Sequence, residues 1–204
     1  MILDTAVRLY ARQGFESVTL NEIAQDTGVA TNLIRHYFGS KRDFRDACRA
    51  HAMTRIKQHL SEVIATTAGH QAAREDLDRI GQAFTEGVGH RIDLFRYLAR
   101  EISLGGEPSD RMFDDYFAIV ETLTARFSDA GILDADLEEL WVTFYFIFIQ
   151  IGTVFLLDHV ERKSGRDAYD PEVSARRSAT LLRISQKGIF GQRNLSPKSD
   201  LPAR

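Results

Sequence analysis

The segment Thr19–Lys41 reads TLNEIAQDTGVATNLIRHYFGSK, two short runs of helix-forming residues that meet at Gly28. Thr19 is of the type that caps a helix N-terminus. Glu22 stands three residues on, where its carboxylate reaches back to the cap. Ile23 and Ala24 give this first run a small apolar face, and Gly28 tolerates the positive φ of a sharp turn. Thr31 is placed to cap a second helix, Asn32 to Phe38, and Ser40 with Asp43 repeats the capping box at the start of a third. Helix, glycine turn and helix in this order predict a helix-turn-helix, whose second helix is the kind that enters a DNA major groove.

Two capped helices joined by glycine occur in many helical proteins, so the content of the second helix decides. Leu33, Ile34 and Phe38 suffice to anchor it. The remaining residues Asn32, Arg35, His36 and Tyr37 are all hydrogen-bonding types, and Lys41 and Arg42 follow directly. We expect Thr19 and Thr31 to hold phosphates, Asn32, Arg35 and His36 to stand near base edges, and Tyr37 and Lys41 to meet the DNA backbone. The net charge is only −3, so the chain is no polycation. The local cluster Lys41, Arg42, Arg45 and Arg49 nevertheless suits phosphate contacts, which are sequence-independent and salt-sensitive. Arg45 and Arg49 fit a solvated helix face better than Lys41 does.

Residues Ile2 to Phe44 resemble the N-terminal domain of the TetR family of transcriptional regulators. The residues that carry the likeness are Ile2-Leu3-Asp4-Thr5-Ala6, Leu9-Tyr10, Gly14-Phe15, Thr19, Ile23-Ala24, Gly28-Val29 and Tyr37-Phe38-Gly39-Ser40-Lys41. The resemblance implies a DNA-binding domain, a larger helical ligand-binding domain, and a homodimer that a small molecule releases from a palindromic operator. The recognition helix departs from the family pattern: where that pattern has an aromatic-aromatic-His-Phe run, this chain reads Arg35-His36-Tyr37-Phe38. The family's contacts at the first aromatic position therefore do not pass unchanged to Arg35, which instead suits a guanine edge or a phosphate.

The rest of the chain is read as all-α. Its 44 % hydrophobic content supports a packed core. Residues 1–46 form the expected three-helix domain and residues 47–190 the ligand-binding and dimerisation domain, with 191–204 as a disordered tail. Ile2 to about residue 13 forms the first helix, with Gly14 ending it. A long connector helix runs from Lys41 to about Thr67. Further helices are expected at about 71–88, 92–103 and 108–129, then from Asp136 to Arg162, and from Asp170-Pro171 to about Gly188.

The segment Leu140–Leu157 has no charged residue, which touches the length of a membrane span. Thr143, Gln150, Thr153 and Gly152 interrupt it and acids flank both ends, so a buried or interfacial helix is expected rather than a membrane partner. One face of this helix (Trp141, Tyr145, Phe148, Gly152, Phe155) is aromatic and the other is mixed with hydroxyl and amide groups. One of the two should line a cavity and the other meet a second copy. Density of Phe, Ile and Leu at 113–157 predicts a largely apolar effector. Its expected lining is His90, Phe113, Tyr116, Phe117, Trp141, Tyr145, Phe148 and Gln150. Arg96 and Arg100 are one turn apart and suit a carboxylate, or more simply a solvated face.

The single cysteine, Cys48, excludes an internal disulfide and fits a reducing cytoplasm. Arg45 and Arg49 beside it favour a thiolate, but its apolar helix face favours inert filling. The N-terminus enters a helical pattern at once, with no cationic start, so no signal peptide is expected. The six histidines are scattered, and Cys48 with His51 lacks further ligands at metal spacing. Without a Gly-rich phosphate loop or nucleophile elbow, we expect no catalytic residue, no metal and no cofactor. The alternatives to a DNA-binding regulator are a ligand-binding or interaction protein on the same scaffold, and a membrane-associated protein using residues 140–157.

Overall fold

The computed structural model of the chain describes residues 1–67, 91–129, 131, 133–134, 136–168 and 170–187. Every regular element among them is a helix: α1 (Ile2–Gln13), α2 (Leu20–Thr27), α3 (Thr31–Phe38), α4 (Lys41–Thr67), α5 (Ile92–Ser103), α6 (Glu107–Asp129), α7 (Glu139–Phe155), α8 (Leu157–Ser164) and α9 (Pro171–Lys187). The expected helix at about 71–88, His90 and the expected tail 191–204 lie outside the described residues.

Capping explains most of the boundaries. At α2, the Thr19 hydroxyl accepts from the Glu22 amide and the Glu22 carboxylate accepts from the Thr19 amide at 2.6 Å. Ser40 and Asp43 do the same for α4. Asp170 accepts from the amides of Glu172 and Val173, with Pro171 in the first position of α9, where its missing N–H removes no bond. Gly28 ends α2 with φ 71°, a left-handed conformation that frees the chain to turn into α3. One cap differs from expectation. Ala30 is the N-cap of α3 and makes no side-chain bond, so Thr31 is the first helical residue rather than the cap.

α1, α2 and α3 close on a core of Ala6, Val7, Tyr10, Ala11, Val18, Leu20, Ile23, Ala24 and Ile34. α4 carries that core onward, because Phe44, Cys48, Ala52, Ile56 and Leu60 recur every four residues along one face and all are fully buried. α5 lies against both α1 and α4, burying Leu94, Phe95, Tyr97 and Leu98. Tyr97 stacks on Tyr10 with ring centroids 6.4 Å apart. α6 and α7 pack on each other and on this assembly through Met112, Tyr116, Val120, Ile147 and Val154.

The helix expected over 136–162 is two helices. α7 and α8 meet at Leu156 with a bend of 61°. The bend turns Leu157 into the core at 1 % exposure and brings Asp158 within 2.5 Å of the Arg96 guanidinium. A straight helix satisfies neither contact. The break also divides the uncharged segment, and among the described residues no single helix is long and apolar enough to cross a membrane.

Candidate nucleic-acid interface and effector domain

α3 is held by one buried residue. Ile34 is 1 % exposed, and half-buried Phe38 packs edge-on against Phe44 at 5.0 Å between centroids. Leu33, expected to share the anchoring, is 43 % exposed and faces outward with the polar residues. Asn32, Arg35, His36 and Tyr37 are all exposed, and the rings of His36 and Tyr37 meet edge-on at 5.4 Å. The outer surface of α3 thus presents an amide, a guanidinium, an imidazole and a phenol together, which suits hydrogen bonding to base edges and backbone.

The flanking residues are less free than their types imply. The exposed Thr19 hydroxyl donates to the Glu22 carboxylate at 2.9 Å while accepting from the Glu22 amide. Those bonds hold the Glu22 carboxyl below its ordinary range, so a negative charge stands beside any phosphate at Thr19. Thr31 is half-buried in the first turn of α3. Lys41 opens α4 with its ammonium 4.5 Å from the Phe15 ring centre, a cation–π contact that aims it along the domain surface.

Arg45 and Arg49 form no solvated face. Arg45 makes a two-pronged contact to Glu101, with Nε 3.1 Å from both carboxylate oxygens and Nη2 2.9 Å from Oε1. Arg49 Nε reaches Glu101 Oε2 at 2.6 Å, and its Nη1 reaches Asp46 at 2.7 Å. Glu101 is 2 % exposed, so one buried carboxylate is shared by two guanidiniums from the connector helix. The Arg45 guanidinium lies 4.1 Å from the centre of Phe15, the ring that Lys41 also covers. Ser109 Oγ donates to the Glu101 carbonyl at 2.7 Å, tying α6 to the same point. A second link joins α1 to α5, where Arg12 grips Asp93 with Nε at 3.0 Å and Nη2 at 2.9 Å. The sequence offers one signal for Glu101. It falls three residues after Leu98 and seven after Leu94, on the buried face of α5, where an acid needs a partner.

Cys48 sits inside this junction, fully buried. Burial and the nearby Glu101 charge push its thiol up to about 12. The arginines beside it are committed to Glu101, so the thiolate they were expected to favour is instead disfavoured. His51 pairs with Asp4 at 2.8 Å. Native protein at pH 8 is expected to leave Cys48 unlabelled by a thiol reagent such as dithionitrobenzoate, with full labelling only after denaturant is added. Rapid labelling of the native form contradicts the burial.

In the second half of the chain the residues expected to line a cavity divide between two faces of the bundle. Tyr116 is fully buried and donates its hydroxyl to Gln150 Oε1, leaving the Gln150 Nε2 buried with no acceptor. Phe113 and Phe117 are half-buried, and Phe117 packs on Phe144 at 5.3 Å. Trp141, Tyr145 and Phe148 point outward, Trp141 at 61 % and Phe148 at 63 % exposure. These three do not share an enclosed cavity with Tyr116 and Gln150 in one protomer. The mixed face with Thr143, Ile147, Gln150 and Val154 looks inward, and the aromatic face looks out. Arg96 is buried and paired with Asp158, not on a solvated face. Arg100 Nη2 reaches the Arg12 carbonyl at 3.4 Å. No group of three His, Cys, Asp or Glu converges as a metal site among the described residues.

A helical trio whose third helix exposes polar side chains, continuous with a larger helical body, is a helix-turn-helix arrangement. The sequence model of the family described as "Bacterial regulatory proteins, tetR family" matches residues 2–48. The likeness to the TetR family lies in this N-terminal segment. Its sequence is 31 % identical over 78 residues to the HTH-type transcriptional regulator BetI of Burkholderia thailandensis, covering 38 % of this chain and 36 % of that protein. The chain thus spans about a third of the length of the curated relatives it matches. Its fold resembles that of the transcriptional regulator FadR of Bacillus subtilis, solved in complex with stearoyl-CoA. That likeness has a TM-score of 0.66 at 18 % identity and covers 93 % of this chain and 98 % of that one. The fatty acid degradation regulator FadR of Bacillus halodurans gives a TM-score of 0.67 at 15 % identity, with coverage of 93 % and 98 %.

Proposed function

We propose that this protein is a ligand-responsive, homodimeric transcriptional regulator, a repressor that leaves a palindromic operator when a small, largely apolar effector binds its helical body. The observation that carries the reading is α3: four polar side chains stand exposed on a helix pinned by one buried isoleucine, within the segment that matches the family. Asn32, Arg35 and His36 read bases, while Tyr37, Lys41, Thr31 and the α2 cap at Thr19 meet the backbone. The exposed aromatic stripe of α7 supplies the surface on which a second copy packs. The apolar interior between α6 and α7, with Phe113, Phe117, Tyr116 and Gln150, is where an effector binds. The FadR of Bacillus subtilis holds stearoyl-CoA, which makes a long-chain acyl-CoA a first compound to test.

The test is selection of bound duplexes from a random DNA pool, followed by titration at two salt concentrations. Enrichment of a palindrome bound with a steep salt slope is the expected result. Weak binding indifferent to sequence favours instead a ligand-binding protein on the same scaffold, a reading that Arg35 keeps in view because it replaces an aromatic residue of the family pattern. With an operator in hand, Arg35→Ala is expected to weaken specific binding by about 1–3 kcal/mol and relax the preference at one base pair. A uniform loss across all sequences assigns Arg35 to a phosphate.

A further inference from the structure

Among the described residues of α1, α2 and α3, the large apolar side chains are buried or half-buried except two, Leu33 and Tyr37. Both stand on α3, and Leu33 shares its face with His36 and Tyr37 at the three- and four-residue spacing of neighbours on a helix. Val29 before the helix and Phe38 at its end pack against the core, whereas Leu33 between them stands clear of it. The Leu33 amide donates to the Ala30 carbonyl at 2.9 Å, which places the residue in the first turn. A single exposed leucine is common on a protein surface. This one belongs to a helix whose other outward side chains, Asn32, Arg35, His36 and Tyr37, are all hydrogen-bonding types. α3 carries no acidic residue, and Lys41 and Arg42 follow it, so the surface around Leu33 suits a polyanion rather than an apolar protein face.

The N-terminal residues of a recognition helix are the ones that meet base edges. In the major groove those edges present hydrogen-bond donors and acceptors and one apolar group, the 5-methyl of thymine. A leucine set against a donor or acceptor strips its water and returns no bond, which costs affinity. Set against the methyl, it buries apolar surface on both sides. We propose that Leu33 is a specificity-determining residue of this interface, seated on the 5-methyl group of one thymine in each operator half-site. This rests on the reading of α3 as the base-reading helix and adds a base preference that its polar side chains do not supply.

The test selects duplexes from a random DNA pool with the full parent chain. Each thymine of the strongest duplex is then replaced by deoxyuridine, one position at a time and in both half-sites. That exchange removes the methyl and keeps every hydrogen-bonding group of the base. At one position it is expected to weaken the parent about fourfold per half-site, the loss for one buried carbon. Leu33→Ser is expected to be indifferent to the exchange at that position, with the helix content of the parent because the side chain it replaces is exposed. Leu33→Met, similar in volume, is expected to keep the sensitivity, a rescue that a merely structural role for position 33 does not produce. A parent that binds its selected duplex but is indifferent to every thymine methyl, or a serine variant as sensitive as the parent, overturns the Leu33 contact and leaves α3 as the reading helix. A parent that selects no sequence overturns both together.

Discussion

Replacing Glu101 with glutamine is expected to destabilise the protein by about 3–5 kcal/mol, among the largest effects of any single change. The substitution keeps the shape and removes the charge. It leaves the half-buried guanidiniums of Arg45 and Arg49 around a buried group that no longer supplies their shared counter-charge. For a chain of this size each kcal/mol shifts Tm by about 2–4 °C, so a fall of about 6 °C or more is expected in thermal unfolding. The triple replacement of Glu101, Arg45 and Arg49 by methionine is the control. A buried ion cluster exchanged for apolar side chains of similar volume is often neutral or stabilising, so the triple variant is expected to recover most of the loss. A Glu101→Gln protein that melts with the parent contradicts the burial of the cluster. The same variants test coupling. Glu101 belongs to α5, Arg45 to the connector, and Phe15 lies under both Arg45 and Lys41. Loss of the clamp therefore loosens Lys41, and the triple variant is expected to stay folded yet bind the operator less tightly.

This cluster marks the limit of what the chain discloses as a string of residues. Thr19 with Glu22, Ser40 with Asp43, and Asp170 with Pro171 are local signals, each completed within three residues. The helix starts they predict are those observed. The four-residue recurrence from Phe44 to Leu60 is likewise local, and it places α4 correctly. Arg45 and Glu101 are 56 residues apart, and nothing near Arg45 distinguishes a clamped arginine from a solvated one. Leu33 departs from its expected inward position for a different reason. α3 has eight residues, barely two turns, too few for periodicity to say which of two adjacent aliphatic residues faces inward. The break at Leu156 is tertiary as well, since Arg96 and the core determine where Asp158 and Leu157 must go. The two faces of α7 were legible as different, but only the packed structure shows that the hydroxyl- and amide-bearing face is the inner one. There the Thr143 hydroxyl bonds the Glu139 carbonyl within α7, while the Tyr116 hydroxyl reaches Gln150 from α6.

Phe148→Glu is expected to convert a dimer to a monomer. Trp141, Tyr145, Phe148, Gly152 and Phe155 follow one another at three- and four-residue spacing along α7, and the four aromatic residues are exposed, as are Leu140, Leu156 and Val160. Trp141 meets Phe144 at a tilt and Phe144 stacks on Phe148, each at 5.8 Å between centroids, a prearranged apolar surface that loses little side-chain freedom on packing. A contiguous aromatic stripe of this kind is unfavourable in water and marks an interaction surface. Its position on the helix opposite the core makes a second copy the partner that the regulator reading requires. A glutamate at the centre of that surface must be buried without a counter-charge, a penalty of several kcal/mol in each protomer. Sedimentation of the parent chain is therefore expected to give a dimer, and of Phe148→Glu a monomer with unchanged helix content. Operator binding should fall with it, because two recognition helices held at fixed separation bind two half-sites as one event, and separated chains do not. If the variant remains dimeric, the aromatic face is not the interface. If it is monomeric yet binds the operator undiminished, the palindromic reading fails while the recognition helix stands.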